Sequence, residues 1–88
     1  MGLEYVQLIM EVENDFGITI PQETYADALT TVDNFCAAII KLAAIQKQEL
    51  LYRDEVFERV RSIIVEVAGV PPDEVWYTSD FDRDLGFG

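Results

Sequence analysis

Residues 32–68 contain neither glycine nor proline, so no residue there is a strong helix stop. In a chain of 88 residues that single run leaves two architectures. A turn near residues 46–52 folds two helices back on each other, or one helix of about 37 residues, roughly 55 Å long, holds the two ends of the chain apart. In the second case the core is completed by another molecule, as a domain swap. The apolar rhythm runs through Val32, Phe35, Cys36, Ile39 and Ile40 and lapses across Gln46-Lys47-Gln48-Glu49. It resumes with Val56, Val60, Ile63, Ile64 and Val67. Thr30 or Thr31 is placed to cap the start. Gly69 ends the run, and Pro71-Pro72 enforce a loop. A helical turn fits residues 72–75, and the rest of the tail reads as a long loop anchored by Trp76, Phe81, Leu85 and Phe87.

Ahead of this run, Leu3–Phe16 has the spacing of an amphipathic helix. Glu4, Gln7, Glu11 and Asp15 share a polar face at about 100° per residue, while Tyr5, Leu8, Ile9, Val12 and Phe16 form an apolar arc. Leu3, Val6 and Met10 widen that arc beyond one core contact, with Glu13 projecting among them. Such width serves either a second neighbour in a bundle or an exposed docking stripe. Gly17 closes the helix. Ile18-Thr19-Ile20-Pro21 is an extended connection with no second strand to pair with, and residues 22–29 accommodate a short helical turn. The fold class is therefore all-α, a helical bundle in one domain spanning residues 1–88.

Charge narrows the partners. Seventeen acidic residues against 6 basic ones give a formal net charge of −11. Nucleic acid and anionic membranes would repel such a surface; a basic protein surface would attract it, less so as salt rises. With no histidine, His–Cys zinc sites and histidine-based catalytic triads are excluded. Abundant carboxylates alone make no active site, so no enzyme activity and no catalytic residue is expected. Asp80, Asp82 and Asp84 alternate like the opening of a calcium loop. Leu85 stands where that loop needs glycine and no distal glutamate follows, so no metal site is expected. Cys36 is the single cysteine and sits among apolar residues, which reads as a buried thiol and agrees with a cytoplasmic setting. The start of the chain has neither the charges nor the apolar core of a signal peptide.

Four segments carry a resemblance. "LEYVQLIMEVENDFGITIP" (3–21) resembles the second helix of acyl carrier proteins and its following loop; "LTTVDNFCAAI" (29–39) resembles their last helix with its threonine cap. "VFERVRSIIVEVAGVPPDEV" (56–75) resembles their first helix and its Gly-Val-x-Pro exit, and "TSDFDRDLGF" (78–87) resembles the loop leading to the phosphopantetheine attachment site. The resemblance implies an acyl-carrier-like bundle in circularly permuted order. Residues 3–42 match the family's C-terminal part, 56–88 its N-terminal part, and 43–55 link them. The family reads Asp-Leu-Gly-Phe-Asp-Ser-Leu across its functional centre. Here Asp84-Leu85-Gly86-Phe87-Gly88 lies at one end and Met1-Gly2-Leu3 at the other, with Gly88 near the aspartate position and Gly2 near the serine position.

In the family the serine bears 4'-phosphopantetheine, whose thiol carries the acyl chain of fatty acid, polyketide or peptide synthesis. Only Ser62 and Ser79 occur here, and neither precedes Leu3. No cofactor is expected on the chain as written. Docking is what the resemblance leaves: basic patches of acyl-processing enzymes would read a face including Glu4, Val6, Met10, Glu13 and Asp15, with Gln7 and Asn14 replacing common acidic residues. The expectation is a carrier-like module limited to protein docking, either a permutant, engineered or natural, or a segment cut across two tandem carriers. The alternatives are a helical assembly module that forms a swapped homodimer, and a working carrier whose serine was lost in cloning.

Overall fold

The computed structural model describes residues 2–87, so the placement of Gly88 at the family's aspartate position lies outside the described residues. Its helices are α1 (Leu3–Phe16), α2 (Tyr25–Ala28), α3 (Val32–Lys47) and α4 (Arg53–Ala68), with single 3-10 turns at Gln22–Thr24 and Pro72–Glu74. The architecture is all-α; one isolated antiparallel bridge, Thr31 to Asp80, is the only strand-like pairing among the described residues. Within the chain the run without helix breakers takes the hairpin arrangement, not the continuous helix. Gln48 adopts a left-handed conformation, φ 53°, and the amides of Gln48 and Glu49 both close onto the Ala43 carbonyl. The linker is correspondingly shorter than residues 43–55: 43–47 finish α3 and 53–55 begin α4. The reason lies in residues 46–49, which offer nothing apolar to bury, whereas Leu51 just beyond is buried.

One apolar cluster unites all segments. Leu8, Ile9, Val12 and Phe16 of α1 meet Val56, Phe57, Val60 and Ile64 of α4, and Phe35, Cys36, Ile39 and Ala43 of α3 complete the core. The head and tail of the chain converge there. The ring of Tyr5 lies 5.2 Å from Phe87 and 6.2 Å from Phe81, centroid to centroid. Phe81 in turn packs edge-on against Phe35 at 5.5 Å.

The tail is irregular yet firmly attached. Its carbonyls at Ser79 and Tyr77 accept from Val32 and Asp33, and Thr31 Oγ1 accepts from Asn34 at 3.2 Å, so the exposed amides of the first turn of α3 are satisfied. Of the expected tail anchors, Phe81, Leu85 and Phe87 are buried but Trp76 remains 55% exposed. Tyr77 turns inward instead and stacks on Phe57 at 4.2 Å. The guanidinium of Arg53 lies 5.0 Å above Tyr77 and that of Arg61 lies 5.1 Å from the Phe57 ring, giving a four-membered column.

The C-terminal end of α1 is clamped by two cations from other helices. Arg59 of α4 donates to the Asp15 carbonyl at 2.9 Å, and Lys47 of α3 donates to the Phe16 carbonyl at 3.3 Å. Both bonds serve carbonyls that a helix end leaves without intrahelical partners. Gln46 pairs reciprocally with the Thr19 backbone at 2.8 and 2.7 Å, fixing the connection that follows. No helix among the described residues is long and apolar enough to cross a membrane.

Candidate functional site: the α1 face and the junction beside it

The segments that the resemblance places around the attachment point do meet. Gly2 precedes α1 in an extended conformation, and the Tyr5–Phe81–Phe87 rings pack beside the first turn. Burial, and then the charges of Asp82 and Asp80, push the Tyr5 phenol above its ordinary range. A phosphodiester would need a hydroxyl here, and glycine has none. Ser79 is buried, accepting from the Trp76 amide at 2.9 Å and donating to the Glu74 carbonyl at 3.0 Å. Ser62 lies in the middle of α4, beside Glu11, Asp15, Arg59 and Glu66, and away from the start of α1 where the family's serine would stand. These residues do not fit phosphopantetheine, and no step through that group is derived.

The aspartates of the tail work on their own backbone. Asp80 Oδ1 accepts from Asp82 and Arg83, both at 3.0 Å, and Asp84 Oδ2 accepts from Asp80 at 2.8 Å. Among the described residues no group of three or more potential metal ligands is assembled. A cleft of about 490 Å³ runs between α2 and α3 and is bordered by Glu23, Asp27, Ala28, Asn34, Ala38 and Lys41.

The five expected docking residues divide into two groups. Glu4, Val6 and Met10 are exposed, Val6 at 41% and Met10 at 62%. Glu13 and Asp15 are engaged within the molecule, Glu13 half-buried and Asp15 still exposed. Glu13 Oε2 accepts from the Ile20 amide at 2.8 Å, and Asp15 Oδ2 accepts from Arg59 Nε at 3.0 Å. Both lie within one turn of Gly17, where the chain folds back within their reach; this is a tertiary fact with no signature in helical spacing. Leu3, omitted from the expected face, is 84% exposed and continues its line. Leu3, Val6 and Met10 stand at i, i+3 and i+7, so they form one apolar stripe, with Gln7, Glu11 and Asn14 exposed alongside. The signal for Leu3 was that same spacing.

The electrostatics reinforce the pattern. α1 contains no lysine or arginine. Of the six cations, Lys47, Arg53, Arg59 and Arg61 are paired with Glu49, Asp33, Asp15 and Glu58. The α1 face is thus apolar along its crest and anionic along its flank. Comparison with known protein families, with curated proteins and with solved structures finds no match.

Proposed function

We propose that the chain is an acyl-carrier-like docking module that bears no phosphopantetheine and presents α1 to a basic protein surface. The observation that carries this reading is the uncovered stripe of Leu3, Val6 and Met10 bordered by Glu4, Gln7 and Glu11 on a helix free of cations. A wholly solvated helix face has no need of three aligned large apolar residues. Carboxylates beside such a stripe favour a cationic partner and discriminate against anionic ones. The order of segments, head beside tail around one core, supports the likeness to carriers in permuted order.

Phosphopantetheinyl transferases and other acyl-processing enzymes are the partner class that the resemblance suggests. The experiment is competition. The chain should slow the modification of an ordinary acyl carrier protein by a phosphopantetheinyl transferase, while its own intact mass stays unchanged in the same reaction. Inhibition should fade as salt rises and be lost in Val6→Glu/Met10→Glu. A gain of one arm's mass would overturn the non-carrying part of the reading. Absence of inhibition, or inhibition indifferent to that double substitution, would overturn docking through α1.

A further inference from the structure

We infer that the chain exchanges halves with a second copy of itself through the turn between α3 and α4, and that the exchanged form carries one continuous helix across residues 32–68. The connectivity makes this possible. Residues 3–47 and residues 53–87 are each contiguous, and the core is built largely between them, by α1 on α4 and α3 on α4. Only residues 48–52 connect the two halves. Opening that single turn frees both halves, and a second molecule remakes the same contacts.

The turn itself shows why it would open. Gln48 is the only residue other than glycine with positive φ among the described residues, at 53°. Glycine adopts this conformation without penalty, whereas a side chain strains it. Tyr52 precedes α4 with no side-chain hydrogen bond to the helix, so the first amides of α4 lack that protection. Leu50 and Tyr52 are 73% and 70% exposed. A continuous helix removes the left-handed residue and pairs the first three amides of α4 with the carbonyls of Glu49, Leu50 and Leu51. It also places Gln48, Glu49 and Leu50, all good helix formers, in helix. The contacts that hold the end of α3 to α1, Lys47 to Phe16 and Gln46 to Thr19, lie within one half and survive the exchange. Opposing exchange are the burial of Leu51 in the turn, the entropy of association and the repulsion between two chains of net charge −11. The exchanged dimer therefore belongs to high protein concentration and moderate salt, and it forms slowly because the core must open first.

The test combines light scattering with amide exchange on the full chain. Held at millimolar concentration in moderate salt and then diluted, the protein should give a long-lived dimer in which the amides of residues 50–52 have become protected. Each dimer replaces two strained hinges, so Gln48→Gly should lower the dimerisation constant by at least about thirtyfold. Gln48→Ala, which keeps the strain in the turn and favours the helix, should raise it. A chain that stays monomeric throughout would overturn the inference. So would a dimer whose 50–52 amides exchange as in the monomer, since copies resting side by side leave the turn intact.

Discussion

Glu13 and Glu4 belong to the same helix and have opposite surroundings. Glu4 faces water, whereas Glu13 binds the Ile20 amide and its own backbone carbonyl receives the amides of Gly17 and Ile18. Glu13→Ala should therefore destabilise the fold by about 1–2 kcal/mol in urea unfolding, because a part-buried amide loses its acceptor. Glu4→Ala should change stability by no more than about 0.5 kcal/mol while weakening docking. Cys36 is fully buried, and burial pushes its thiol up from 9.0 to about 12. A pKa raised by folding means that the folded state favours the neutral thiol. That contribution is complete below pH 9, and is lost as pH climbs toward 12. Reaction of Cys36 with a thiol-specific alkylating reagent at pH 10 should accordingly be slow in the native protein and fast on unfolding. Cys36→Ala should reduce the alkaline loss of stability.

At the scale of elements, the end of α1 shows most plainly what sets the fold. Gly17 holds φ 68°, and a Cβ there would meet Lys47 Nζ at 3.0 Å. The lysine tip can move aside, so the backbone conformation dominates, and Gly17→Ala should cost about 1–2 kcal/mol in thermal or urea unfolding. This helix end was readable in advance, because glycine after an amphipathic run has few other uses. So was the core arc of α1, Leu8 to Phe16, and the threonine cap of α3, since each follows from local spacing. The break between α3 and α4 was open, because Gln48 is a helix former that turns left-handed only when both helices pack on a shared core. The intramolecular bonds of Glu13 and Asp15 were hidden for a related reason: each depends on a partner that the tertiary fold brings within reach.

For the whole molecule, the decisive relation is between the first turn of α1 and the tail. Phe81 is fully buried between Tyr5, Phe35 and Phe87. Removing it in Phe81→Ala should cost about 3–5 kcal/mol, a large share of the margin available to so small a domain. Far-UV circular dichroism against urea will show whether the bundle survives. The meeting of head and tail was an expectation that the resemblance implied, whereas the inward turn of Tyr77 in place of Trp76 was not foreseen. Two adjacent aromatic residues carry the same apolar signal, and the cations that select one of them lie elsewhere in the chain. The column of Arg53, Tyr77, Phe57 and Arg61 has a consequence for salt. Added ions screen exposed pairs such as Arg59–Asp15, whereas the stacking of Tyr77 on Phe57 involves no charge. The strap that fastens the tail to α4 should thus keep residues around Tyr77 ordered at ionic strengths where the surface ion pairs have weakened.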